Sequence, residues 1–343
     1  MTSICTPGRA NRPAAVWIAL AVLAFGSAAI ARSGPAGRRL AMDYPPGVYR
    51  ISWTETGQTR TQVGQRKVLE DSEKEWVFDA RVGPADANGH REIRLKLIRA
   101  QFALTVAGRT VAEYDSTAPA EAQSGSAQDA YRALAEADIR LSYHPQKGVT
   151  RLEGLEDLWG RLRAKHGPQD ALLESFAQQF NDQALTRVLG QARHWLPDRP
   201  VAVGDRWKSR TTYDVPLVGR LTAEREARLV EIQPLEGRDR AEVEWQVRAR
   251  TAEPVQSRLG PATLTTRQVD VQRAGQLKLD LLTGLVHQMQ ANTVTRSSLT
   301  LEDDQKPARE LTVHQQTTSE ITVVEHKPKA PVPAVAPADV PLP

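Results

Sequence analysis

From Ala241 to Arg250 the chain alternates without a break. Ala241, Val243, Trp245, Val247 and Ala249 lie on one parity; Glu242, Glu244, Gln246, Arg248 and Arg250 lie on the other. Only an extended strand sends alternate residues to opposite faces. One buried face and one wet face are the mark of an antiparallel sheet covered on one side. The pattern recurs at Tyr49, Ile51 and Trp53, at Trp76, Phe78, Ala80 and Val82, and at Ile93, Leu95 and Leu97. Phe102, Leu104 and Val106 continue this last run on the opposite parity, so a β-bulge is expected near Leu97-Ile98. Asp86-Ala-Asn-Gly89 supplies a turn before it, because Asn-Gly accepts positive φ. Further strands are expected at Leu277/Leu279/Leu281, over Leu285–Thr295 and from Leu311 to Val324, with Asp280-Leu-Leu-Thr-Gly284 as a hairpin connection.

Helical spacing is confined to the middle. A stretch near Ala127–Ala137 is followed by short strands around Ile139–Tyr143 and Val149–Leu152, then by Leu155, Leu158, Trp159 and Leu162 at helical spacing. A third helix is expected from Gly167-Pro168, with Leu172, Phe176, Phe180, Ala184 and Val188 recurring every fourth residue. These signals together predict an α+β fold. Long antiparallel strands would form a curved sheet or half-barrel, with two or three helices inserted mid-chain and packed on one sheet face. The apolar stripe of the third helix either simply covers the sheet or closes an apolar space beneath it. In the second case Phe176, Phe180 and Trp159 are the expected ligand contacts.

The ends carry other information. Arg9 and Arg12 precede an apolar run over residues 14–31 that closes on Ala29-Ile30-Ala31, the arrangement of a secretory signal cleaved before Arg32. An uncleaved membrane anchor over the same residues is the alternative, and membrane contact is expected only in that form. The one cysteine, Cys5, stands before this run, so the mature chain is expected to lack disulfides and thiolate sites. The expected organisation is a signal over 1–31, a flexible lead over 32–46 and a β-rich domain over 47–326. That domain comprises strands over 47–116, a helical insert over 126–192 and strands over 206–326. The tail 327–343 is rich in proline and expected to be disordered.

The chain's 45 basic and 41 acidic residues are interspersed, and no basic block of the kind that tracks phosphates occurs, so nucleic acid is not expected as a partner. His-Glu-x-x-His, Gly-x-Ser-x-Gly, Ser-x-x-Lys and the glycine-rich phosphate loops are all missing. No catalytic residue, metal site or cofactor is therefore assigned. A polar cluster, if one forms, is expected where Tyr143-His144, His194 and Asp205 flank the helical insert.

The most distinctive phrase is Leu196-Pro-Asp-Arg-Pro-Val-Ala-Val-Gly-Asp-Arg-Trp207. Pro197 and Pro200 stop a helix and hold the chain extended, Gly204-Asp205 turns it, and Trp207 enters a strand as a buried anchor. The phrase, with the Asp280–Gly284 turn, resembles an uncharacterised family of exported, β-rich bacterial envelope proteins. That resemblance implies an envelope location and a β-rich fold, and it brings no activity. The functional expectation is a non-catalytic protein of the periplasm or envelope binding an apolar or lipid-like ligand between sheet and helices. The alternatives are a structural or interaction module with an envelope protein partner and, third, a hydrolase.

Overall fold

A computed structural model describes residues 37–326 apart from 41, 120–125, most of 168–195, 198, 216–217, 236, 260–261 and 304–305. Its strands are β1 (Gly47–Val63), β2 (Arg66–Ala85), β3 (Arg91–Val106), β4 (Arg109–Asp115), β5 (Ile139–His144), β6 (Gly148–Glu153) and β7 (Arg206–Val215). They continue with β8 (Gly219–Leu235), β9 (Arg238–Thr251), β10 (Val255–Leu259), β11 (Ala262–Asp280), β12 (Val286–Asp303) and β13 (Lys306–Glu325). Among the described residues two helices, α1 (Ser126–Ala135) and α2 (Leu155–His166), interrupt them.

All 13 strands belong to one sheet in the order β6-β5-β3-β2-β1-β13-β12-β11-β9-β8-β7, with β4 on β3 and β10 on β11. Every pairing is antiparallel. The first and last strands pair at its centre along most of their length, from Tyr49 with Glu325 to Val63 with Leu311. Where β2 meets β3, Val77 pairs with Arg99 and Phe78 with Leu97, so Ile98 is the extra residue of a bulge. The parity switch in the sequence is this bulge. The turn before it is closed by Asp86, whose carboxylate accepts the N–H groups of Asn88 and His90.

The α+β expectation is overturned. Among the described residues strand accounts for 71% and helix for 9%, and the fold is a nearly all-β sheet. The helices over 126–135 and 155–166 are short beside strands of up to 20 residues, so they cap one part of the sheet and do not form a layer of their own. They are tied together by Asp129 of α1, whose carboxylate accepts from the Lys165 ammonium of α2 at 2.8 Å and lies 2.8 Å from His166 Nε2. The helix expected from Gly167-Pro168 falls almost entirely outside the described residues.

Residues 37–46 form a strap across one end of the sheet. Arg38 bridges Val201 ahead of β7, the Asp43 N–H donates to Gly284 in the β11–β12 turn, and Tyr143 of β5 donates to the Met42 carbonyl. Leu40 and Met42 are buried in the core. On a flat sheet β5 and β12 would stand five strand spacings apart, roughly 24 Å. One tyrosine side chain and one strap peptide bridge them, so the sheet curls around the strap.

Candidate functional site

Cross-strand register lays the core-facing side chains out in rows. One row runs Leu229, Val243, Leu277, Met289, Ile321, Trp53, Trp76 and Ala100 from β8 to β3, and every member is buried and apolar. One step further from the strap the character changes. That row reads Ala227, Trp245, Gly275, Ala291, Ser319, Glu55, Lys74 and Phe102. Gly275 is dictated by close approach, since a Cβ there would lie 2.0 Å from the Gln290 carbonyl and 2.7 Å from the Trp245 ring. Beyond it Thr293, Thr317, Gln315, Thr59 and Glu70 face the same way and are also buried. The core face is apolar near the strap and polar away from it.

Glu55 and Lys74 are the centre of the polar part. The Lys74 ammonium donates to Glu55 Oε1 at 2.5 Å, and the two side chains are only 7% and 2% exposed. Oε2 of Glu55 has no hydrogen-bond partner, nor have the indole N–H groups of Trp53 and Trp76 or the Thr317 hydroxyl. The two indoles meet edge to face with centroids 4.4 Å apart. Helix α1 reaches the rim of this region through Tyr131, which stacks on Phe102 and Tyr114. Burial, and then the Glu55 charge, push the Tyr131 hydroxyl well above its ordinary range.

A second polar group sits under the strap. The Asp280 carboxylate is wholly buried and accepts the N–H groups of Leu282 and Thr283 at 2.9 and 2.8 Å. Its other oxygen faces Arg238 at 3.5 Å and His287 at 4.0 Å. Burial favours the neutral acid, yet the Thr283 and Leu282 donors and the Arg238 charge outweigh it and hold the pKa below the usual carboxylate range.

His287 is pushed down by burial and then by Arg240, and His144 by burial and then by His90 and Lys147. Unfolded histidine titrates near about 6.5, so below that pH the unfolded chain binds protons that these folded imidazoles refuse. Stability should therefore fall as pH drops from about 6.5 to about 5.5. Urea midpoints across that interval test this. A His144→Gln, His287→Gln double variant should give a flatter curve, and an unchanged slope would refute the assignment.

The expected site residues scatter. Trp159 is buried with Leu155, Leu158 and Leu162 on α2, as part of the packed core. Phe176, Phe180 and His194 lie outside the described residues. Pro197 and Pro200 lead to the Arg38–Val201 bridge, and Gly204 turns the chain with φ 95°. The Asp205 carboxylate accepts from the Ala202 N–H and from Arg199. Trp207 is half-buried beside Trp245 and packs against the core at the start of β7. His144 does not join Asp205: its Nδ1 accepts from Gln146, and its ring packs on His90 with centroids 5.0 Å apart. Glu55, Lys74 and Thr317 were missed, although Glu55 stands on the same parity as Tyr49, Ile51 and Trp53. A charge on a buried parity is the signal that marks it.

Two cavities among the described residues have volumes of about 10 and 20 Å³. Each has room for about one water molecule. Among the described residues no helix is long and apolar enough to cross a membrane, and no three His, Cys, Asp or Glu side chains could hold a metal ion. The outer face of the sheet is charged along its width. Arg50 pairs with Asp79, Arg250 with Asp270, and Lys208 and Arg206 with Glu226.

Among solved structures the chain is similar to lipovitellin, in a structure concerned with lipid–protein interactions, at 8% identity and a TM-score of 0.43. That alignment covers 84% of this chain and 26% of lipovitellin, so the chain spans about a quarter of that protein. It is also similar to OccK5 from Pseudomonas aeruginosa, at 7% identity and a TM-score of 0.24, over 81% of this chain and 98% of the other. An outer membrane channel from Pseudomonas putida F1 gives 6% identity and a TM-score of 0.22, over 86% of this chain and 100% of the channel. Scores this low establish neither fold nor function. No curated protein matches the sequence. A family model matches residues 88–286, from the β2–β3 turn to the first residue of β12. With more than half of its length matched, the chain belongs to a family of unknown function, DUF6263.

Proposed function

We propose that the protein is a non-catalytic binding protein of the bacterial envelope, which holds an amphipathic, lipid-like ligand on the core face of its sheet. The observation that carries this reading is the division of that face. The row through Trp53 and Trp76 is apolar apart from its two unpartnered indole N–H groups, the next holds a buried ion pair with one unpartnered carboxylate oxygen, and the row beyond adds the Thr317 hydroxyl. An apolar surface with a few placed polar groups is the usual composition of a small-molecule site. Export rests on the basic start and apolar run over residues 1–31. The paired charges on the outer face favour a sheet that stands in water over one whose outer face meets hydrocarbon. Phe176 and Phe180 are proposed as contacts for the apolar part of the ligand, beside Trp159.

The test is to produce the chain with its leader in a bacterial host, purify it without detergent, and analyse organic extracts by mass spectrometry. A stoichiometric amphiphile is expected, and it should be lost when Phe176 and Phe180 are both replaced by Asp in a variant that still folds. A second reading, a structural or interaction module, is favoured by the water-sized cavities beside Trp207 and beside Tyr49, since ligand pockets usually enclose about 300 Å³ or more. A well-folded protein that yields no bound compound would establish that alternative over the first.

A further inference from the structure

Native interiors leave few buried polar atoms without a partner, and each exception calls for an explanation. Four such atoms stand together here. Trp53 and Glu55 are alternate residues of β1, Trp76 is the cross-strand partner of Trp53, and Thr317 lies opposite Gly57, the next core-facing position on β1. Cross-strand neighbours lie about 5 Å apart and alternate residues of a strand about 7 Å apart, so these groups occupy a patch about 14 Å along the strands and about 10 Å across them, which one extended polar head could span. Its unmet capacity is mixed: Glu55 Oε2 accepts, the two indole N–H groups donate, and the Thr317 hydroxyl does both. At Gly57, in the middle of the patch, the Ser72 hydroxyl lies 2.9 Å from where a Cβ would stand, so it too faces the patch. Among the described helices, only Tyr131 of α1 is placed against its rim.

We infer that this patch binds a neutral, hydroxyl-bearing group, of the sugar or polyol class, as the head of the amphipathic ligand; the inference rests on the function proposed above. Hydroxyls are the one common group that can donate to the carboxylate oxygen and also accept from the indoles. The Glu55–Lys74 pair is internally neutralised, so a ligand charge would enter a buried region with no counter-charge left for it. An anionic head would in addition face the unpartnered Glu55 oxygen. The edge-to-face indoles also offer apolar ring surface to the C–H face of a sugar.

The experiment titrates the full chain with octyl glucoside below its micelle concentration, with octyl phosphate and with 1-octanol, and follows binding by calorimetry. Octyl glucoside should bind at least about tenfold more tightly than the other two, the scale set by one or two well-made hydrogen bonds. The E55Q/K74M double variant should lose about that factor for the glucoside and none for octanol, so retained octanol binding reports that it is folded. Should that variant not fold, Thr317→Val removes one hydroxyl and should weaken glucoside binding alone. Equal affinities for the three probes, or unchanged glucoside binding in the variants, would overturn the head-group assignment and leave the proposed function standing. Failure of all three to bind the unaltered protein would overturn that function itself.

Discussion

Replacing Asp280 with alanine is expected to lower the folding stability by about 3 kcal/mol or more, the largest effect of any single turn residue. The carboxylate accepts two backbone N–H groups in the β11–β12 turn and faces Arg238, all from a wholly buried position. Alanine would orphan both donors and leave Arg238 without its counter-charge. The same turn also anchors the strap through the Gly284 carbonyl, so the loss should spread to the contact with β5. A drop in urea midpoint with an unchanged slope would be the signature. Asp280→Asn keeps one carbonyl acceptor and should cost less. The pKa of Asp280 is depressed in the folded state. Its contribution is therefore complete above the unfolded value of about 3.9 and is lost as pH falls through the folded value. Two alleles of equal stability would show that the turn is held by its backbone alone.

Breaking the Glu55–Lys74 pair from one side should cost about 3–5 kcal/mol, because either single change leaves a buried charge alone. Glu55→Ala strands the Lys74 ammonium, and Lys74→Met strands the carboxylate. The E55Q/K74M double variant removes both charges with similar volume and should lie within about 1 kcal/mol of the original or above it. Such a thermodynamic cycle gives a large coupling between neighbours in one ion pair. Additive losses would mean that the two side chains do not interact in solution. A double variant as stable as the original would show that the buried pair is not needed for folding, as the proposed ligand recognition expects.

How much of this was legible from the sequence depended on whether a rule is local. The bulge at Ile98 was legible because a one-residue slip inverts side-chain parity, and the change from Leu97 to Phe102 records that inversion. The Asp280–Gly284 hairpin was legible for a similar reason, since its turn is closed by its own residues. The fold class was misjudged because helical spacing gives the existence of a helix and not its weight. Segments of 10 and 12 residues gave helical signals as clear as those of strands twice their length.

The sequence by itself determined that the chain is built from strands with one wet face, where those strands turn, and that no familiar catalytic or metal motif is present. Alternation, turn chemistry and motif spacing are all properties of neighbouring residues. Only the tertiary structure decided that the first and last strands pair at the centre of one sheet. It alone decided that residues 37–46 strap the sheet into a curve, and that Glu55, Lys74 and Thr317 meet beside two tryptophans. Those relations join residues up to 276 positions apart. Nothing in a local window encodes the partner of a strand; the partner is selected by burying every core-facing row at once.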